Sequence, residues 1–167
     1  HRISKRIVQS PLYAPTGYGL AQGDLALREQ LVKYLRQARN VHCHVEQIII
    51  TDGAQQALYL ASKVLLQAQD TAIIENPVYP GLHAILQDRQ VNIRAIKLDE
   101  QGIQVSTLLA DNISARAVFV TPSHQYPMGM PMSMARRMAL LQWAKQQQAW
   151  IVEDDYDSEL RYQGLPF

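Results

Sequence analysis

Apolar positions along the chain follow two rhythms. One returns every three or four residues, and the other comes as short, unbroken, β-branched runs. The helical rhythm sets in after Asp24, where Leu27, Leu31, Tyr34 and Leu35 form one stripe and Asp24 is placed to cap the helix. Strands are then predicted over Val45–Thr51, Thr71–Glu75, Val91–Leu98, Ala115–Val120 and Trp150–Glu153. Helices are predicted between them, over Gln55–Gln69, Gly81–Arg89, Val105–Ala110 and Ser133–Gln148, the last with Ser133 as N-cap. Runs such as Ile48-Ile49-Ile50 and Ala117-Val118-Phe119-Val120 are apolar throughout, as expected of parallel strands covered on both faces. The alternation predicts an α/β fold: a three-layer, doubly wound, mostly parallel sheet. Ahead of it, Pro11, Pro15, Gly17, Gly19 and Gly23 predict an irregular arm over residues 1–23, with the sheet domain over 24–167.

Composition narrows the function classes. The 167 residues, 47% hydrophobic and 19% charged, suit one globular domain. Sixteen basic against fifteen acidic residues leave a net charge of +1, which gives this segment no electrostatic case for nucleic acid or a membrane. A single cysteine, Cys43, excludes an internal disulfide framework and agrees with a cytoplasmic location. No apolar run reaches the ~18 residues of a membrane span. His42-Cys43-His44 lacks a second ligand pair at zinc spacing, and no metal is expected there. The chain opens at His1 and closes on Gln163-Gly164-Leu165-Pro166-Phe167, so a longer parent chain is expected.

Ligands of open α/β sheets bind beyond the carboxyl ends of the strands. Four predicted strand ends run into polar loops marked by Gly or Pro. These are Thr51-Asp52-Gly53-Ala54-Gln55-Gln56, Glu75-Asn76-Pro77-Val78-Tyr79, Thr121-Pro122-Ser123-His124-Gln125-Tyr126-Pro127-Met128-Gly129, and Glu153-Asp154-Asp155-Tyr156-Asp157-Ser158-Glu159. In the first, a glycine before a helix start leaves the N–H groups of Ala54 and Gln55 at a positive helix end, an anion site. One such glycine is also an ordinary turn. Tyr79 offers a flat aromatic face to a planar ring, or else a core residue. The acidic run follows the apolar Trp150-Ile151-Val152. A carboxylate buried there needs a cationic or hydrogen-bonding partner, and a protonated pyridine nitrogen or a metal ion is one such partner. The other reading is a solvated acidic turn.

Taken in order, these phrases resemble the large domain of fold-type I enzymes that use pyridoxal phosphate (PLP), the aspartate aminotransferase group. The phrases Thr121–Pro127 with Gly129 and Glu153–Glu159 look more particularly like the MocR subfamily of GntR-type transcriptional regulators. Arg136-Arg137 with Leu140–Ala144, and Tyr18-Gly19 with Gly23 and Leu27-Arg28, fit the same pattern. In that subfamily a winged helix-turn-helix is fused to an aminotransferase-like domain. The resemblance implies PLP as cofactor. Gly53, Ala54 and Gln55 would form its phosphate cup, and Tyr79 would stack on its ring. Asp154 would hold the pyridine nitrogen, and Tyr156 would donate to the phenolic oxygen. Tyr126 stands where aminotransferases place an Asn, so His124 or Tyr126 is expected to take over that contact.

The resemblance places the Schiff-base lysine after the Asp-containing strand; Lys5, Lys33, Lys63, Lys97 and Lys145 all precede Asp154, so that lysine is expected beyond Phe167 and no catalytic residue within this chain. The winged helix, and DNA binding with it, is expected before His1. The resemblance further implies a homodimer and a small amine or amino-acid effector. Two functions stay open: a PLP-binding effector-sensing domain of a regulator, and a genuine class I/II aminotransferase. A Mg²⁺ enzyme built on the acidic run is a third reading, in which metal binds without PLP.

Overall fold

The computed structural model of the chain describes residues 2–8 and 18–157. It divides into two units, His1–Thr51 and Asp52–Phe167. In the first, a helix α1 covers Arg2–Val8, where the sequence reading has an irregular arm. The breakers of that arm begin only at Pro11, so nothing in this stretch stops a helix. Pro11, Pro15 and Gly17 lie outside the described residues.

Helix α2 (Leu25–Arg39) starts as expected, with Asp24 Oδ1 accepting from Leu27 N at 2.8 Å. Its buried Arg28 donates to Gly23 O (3.3 Å), Gln22 Oε1 (3.1 Å) and Val45 O (3.1 Å), tying the helix to the segments on either side. Gly23 has φ +98, and a Cβ there would lie 2.5 Å from Ile50 Cγ1. Both facts require glycine.

The strand predicted over Val45–Thr51 does not form. Val45–Gln47 is a short 3-10 turn, Ile48 after it is extended, and residues 48–51 join no sheet. The turn is capped through His44 N, which donates to Gln47 Oε1 at 2.8 Å. Ile49 is 57% exposed, so the apolar run is not a doubly covered strand. An unbroken β-branched run has no period that separates a ladder strand from an extended connection.

The second unit is the sheet. Its strands are β1 (Thr71–Asn76), β2 (Asn92–Asp99), β3 (Gly102–Ile103), β4 (Ala117–Val120) and β5 (Trp150–Glu153). Spatial order is β3-β2-β1-β4-β5. All neighbouring pairs are parallel except β2–β3, where Leu98 pairs Ile103 in an antiparallel hairpin. The helices are α3 (Gly53–Leu65), α4 (Pro80–Asp88), α5 (Val105–Ala110) and α6 (Met134–Gln147).

Successive strand residues face opposite sides, and the two cores follow that alternation. Ile73 of β1 with Val118 and Val120 of β4 meets Leu108 of α5 and Leu140 and Trp143 of α6. Ala72 and Ile74 with Ala117 and Phe119 meet Leu58 of α3 and Leu82, Ile85 and Leu86 of α4. The result is the expected three-layer α/β sandwich. Trp143 satisfies its only polar atom inside the core, Nε1 donating to Ile113 O at 3.3 Å.

Helix α3 stops short of Gln69 because Gln67 N turns to Asp70 Oδ2 (2.8 Å) and Gln69 takes φ 70. Helix α6 begins where expected, with Ser133 Oγ accepting from Arg136 N at 3.2 Å. Arg136 then reaches Asp99 Oδ2 (2.8 Å) and Ile103 O, clamping α6 to the β2–β3 turn. Asp99 is held below the usual carboxylate range by that hydrogen bond.

From β1 the chain steps to β2 on one side, then crosses back to β4 on the other. Strand order therefore reverses between β1 and β4, and the crevice beyond their carboxyl ends is the ligand position of such sheets.

Candidate functional site

Three strands, β1, β4 and β5, deliver polar loops to that crevice, not the four expected. The first of the four loops follows an extended connection. Leu58, Glu75, Tyr79, Thr121, Val152 and Asp154 line the cavity there. Its lining combines apolar side chains with the acids Glu75 and Asp154.

The acid at its floor is one the sequence reading did not single out. Glu75 is the fifth residue of β1 and 1% exposed. Its Oε2 accepts from Thr121 N (3.2 Å), Thr121 Oγ1 (2.7 Å) and Gln125 Nε2 (3.1 Å). Its Oε1 has no partner among the described residues. Burial pushes the carboxyl above the ordinary glutamate range, against the three hydrogen bonds that favour its ionised form. A signal was present: Thr71-Ala72-Ile73-Ile74-Glu75 puts an acid in an otherwise buried strand, and such an acid requires partners.

Asp154 follows β5 directly, its N–H donating to Val120 O at 3.0 Å, which extends the ladder by one bond. Its carboxyl is raised above the usual range by burial first and by the charge of Asp155 second. Tyr156, two residues on, has its hydroxyl raised by burial and by the acids around it.

The aromatic residues form a chain of edge-to-face contacts. Tyr79 meets Tyr126 with centroids 5.8 Å apart at 89°. Tyr126 meets Tyr156 at 6.1 Å and 73°, and His124 meets Tyr156 at 5.7 Å and 82°. Gln55 joins through its side chain, Oε1 accepting from the Tyr79 hydroxyl at 3.0 Å.

Two of the eight expected site residues line this crevice, and the others are placed by contacts beside them or by chain neighbourhood. Tyr79 and Asp154 line it, Tyr126, Tyr156 and His124 connect by ring contacts, and Gln55 touches Tyr79. Gly53 and Ala54 are tied in through Gln55, as its neighbours in the first turn of α3. Gly53 has φ +82, with open space where a side chain would project. The first N–H groups of a helix have no partner within it, so Ala54 and Gln55 present donors at that end.

Among the described residues, no three His, Cys, Asp or Glu side chains are placed to hold a metal ion. The Mg²⁺ reading thus finds no ligand set among them, and Glu159 lies outside the described residues. No helix among the described residues is long and apolar enough to cross a membrane.

Residues 14–163 match the model of the family "Aminotransferase class I and II". The chain is 38% identical to the uncharacterized HTH-type transcriptional regulator YdeL of Bacillus subtilis (strain 168), over 93% of this chain and 32% of that protein. It is 40% identical to the HTH-type pyridoxine biosynthesis transcriptional regulator PdxR of Corynebacterium glutamicum, over 91% of this chain and 33% of that protein. The chain spans about a third of the length of the curated relatives it matches. Among solved structures it superposes on the kynurenine aminotransferase of Pyrococcus horikoshii, determined in complex with PMP. That match has a TM-score of 0.85 at 30% identity, over 99% of this chain and 42% of that one.

Proposed function

The chain belongs to the class I and II aminotransferase family, and we propose that it is part of the PLP-binding, effector-sensing domain of a MocR/GntR-type transcriptional regulator. One observation carries the cofactor assignment: Tyr79 and Asp154, an aromatic face and a half-buried acid, line the same crevice at the point where strand order reverses. The identity to helix-turn-helix regulators supports the regulatory reading.

The residues present fit the cofactor. PLP, when bound, supplies an aldehyde that takes up amines and a pyridinium ring that withdraws electrons. Asp154 would hold the proton on the ring nitrogen, since an ionised acid beside it favours the charged form. Gly53 lets the backbone approach a phosphate, and the N–H groups of Ala54 and Gln55 would bind it at the positive end of α3. Tyr79 would stack on the ring and exclude water from one face. Tyr156 would donate a hydrogen bond from its hydroxyl to the phenolic oxygen, with His124 or Tyr126 supplying the neighbouring contact.

In this reading the domain works as a homodimer in the cytoplasm. A small amine or amino acid, meeting the cofactor, shifts an equilibrium between two arrangements. A separate helix-turn-helix segment of the full-length protein reads that shift on DNA. A genuine aminotransferase is the second reading, favoured by the likeness to a kynurenine aminotransferase.

The full-length protein separates the two. Loaded with PLP, the regulator binds operator DNA with an affinity that changes when amines are supplied, and it passes no amino group to keto acids over many turnovers. Sustained transfer with no response on DNA would establish the enzyme instead.

A further inference from the structure

Glu75 does more than satisfy its own burial. Thr121 and Gln125, the two residues it holds, each grip the loop that carries the aromatic cluster. Thr121 Oγ1 donates to Glu75 and accepts from Tyr126 N at 3.0 Å. Gln125, itself 1% exposed, turns its Nε2 toward Glu75 Oε2, Tyr126 O (2.6 Å) and Pro77 O (3.1 Å). Its Oε1 accepts from Met128 N at 3.1 Å. Both backbone polar groups of Tyr126 are thereby fixed to side chains that end on Glu75. So is the carbonyl of Pro77, two residues before Tyr79.

We propose that Glu75 is the positioning residue of the cofactor pocket, setting the Tyr79 and Tyr126 rings against each other through Thr121 and Gln125. The inference rests on the PLP-binding reading above. A buried network of this kind holds one arrangement through its shared acceptor, and removing that acceptor strands the donors around it. Without the Oε2 acceptor, Thr121 Oγ1 and Gln125 Nε2 lose their shared anchor. The 121–129 loop then keeps the Gln125–Pro77 bond to the 76–79 loop but loses its anchor beneath, and the ring contact at 5.8 Å loosens. No other described acid is buried beneath these loops to replace it.

The test is PLP affinity of the full-length protein, read by absorbance titration well below its melting temperature. Glu75→Leu should weaken PLP about tenfold or more, as expected when buried partners of a charged group are stranded. Glu75→Gln keeps an acceptor oxygen for the three hydrogen bonds and should stay within about threefold of wild type. Thr121→Val, which cuts the network between Glu75 and Tyr126, should follow Glu75→Leu and covers the case in which that variant does not fold. Combined with Tyr126→Ala, the loss from Glu75→Leu should largely vanish, since coupled residues are non-additive. If Glu75→Leu and Thr121→Val melt earlier but bind PLP as wild type does, Glu75 is structural only and the proposal fails. Wild-type protein that does not bind PLP overturns the cofactor reading itself, a different result.

Discussion

In the PLP-binding reading proposed above, Asp154 is the residue on which the chemistry turns. Burial and the neighbouring Asp155 raise its carboxyl above the usual range. An acid with a raised value loses its charge sooner as pH falls. Its hold on a pyridinium should therefore fade at a higher pH than for a free aspartate, and PLP affinity should drop on the acid side. Asp154→Asn should remove that acid limb and weaken PLP by about 1.5–3 kcal/mol, roughly 10- to 150-fold. Titrations of both proteins across pH check this. Glu75 runs the same way in stability. Its native value lies above the ordinary glutamate value of 4.5, so the folded state binds more protons than the unfolded state between the two. Stability should fall as pH rises from 4.5 through the raised value, and be fully lost from this group above it. Denaturant melts of Glu75→Gln should show that slope flattened. Of these two acids, only Asp154 was singled out in the sequence, because it sits in a conspicuous acidic run. Glu75 hides in an apolar strand, and its partners lie 46 and 50 residues away. That kind of long-range satisfaction has no local pattern.

Elements differ in how openly they announce themselves. Helices α2 and α6 carry side-chain caps at Asp24 and Ser133, and their starts were readable to the residue. Strand β5 was readable at both ends, since Trp150–Glu153 stands between a helix C-cap and a polar loop. Val45–Thr51 was not readable as what it is. Its composition is that of a strand, and only the hydrogen bond from His44 N to Gln47 Oε1 reveals the 3-10 turn. The two-residue β3 was missed because so short a hairpin edge has no periodicity. Helix α3 carries an expectation of its own. Gly53 opens it at φ +82, a region that costs other residues about 1–2 kcal/mol. Gly53→Ala should lower stability by that amount. It should also weaken PLP through the displaced Ala54 and Gln55 donors, measured by melting and by titration.

Across the molecule, the two cores on either face of the sheet hold β1 and β4 in register, and with them the crevice. Phe119 is 2% exposed on β4, one residue before Val120 and two before Thr121. Phe119→Ala should cost about 3–5 kcal/mol of stability, seen as an earlier unfolding midpoint, by leaving a cavity between β4 and α3–α4. The three-layer plan was legible because strands and helices alternate along the chain. The edge at which the loops meet followed from the rule for parallel sheets. The gathering of Tyr79, Tyr126, Tyr156 and His124 into one aromatic chain depends on loop conformation, which no sequence period encodes. The central claim is that this crevice binds PLP. Absorbance titration of the full-length protein with PLP, wild type beside Asp154→Asn, tests it most directly. A saturable change in the cofactor spectrum, weakened in the variant, is the predicted result. No saturable change in the wild type, or identical curves for the two, would contradict it.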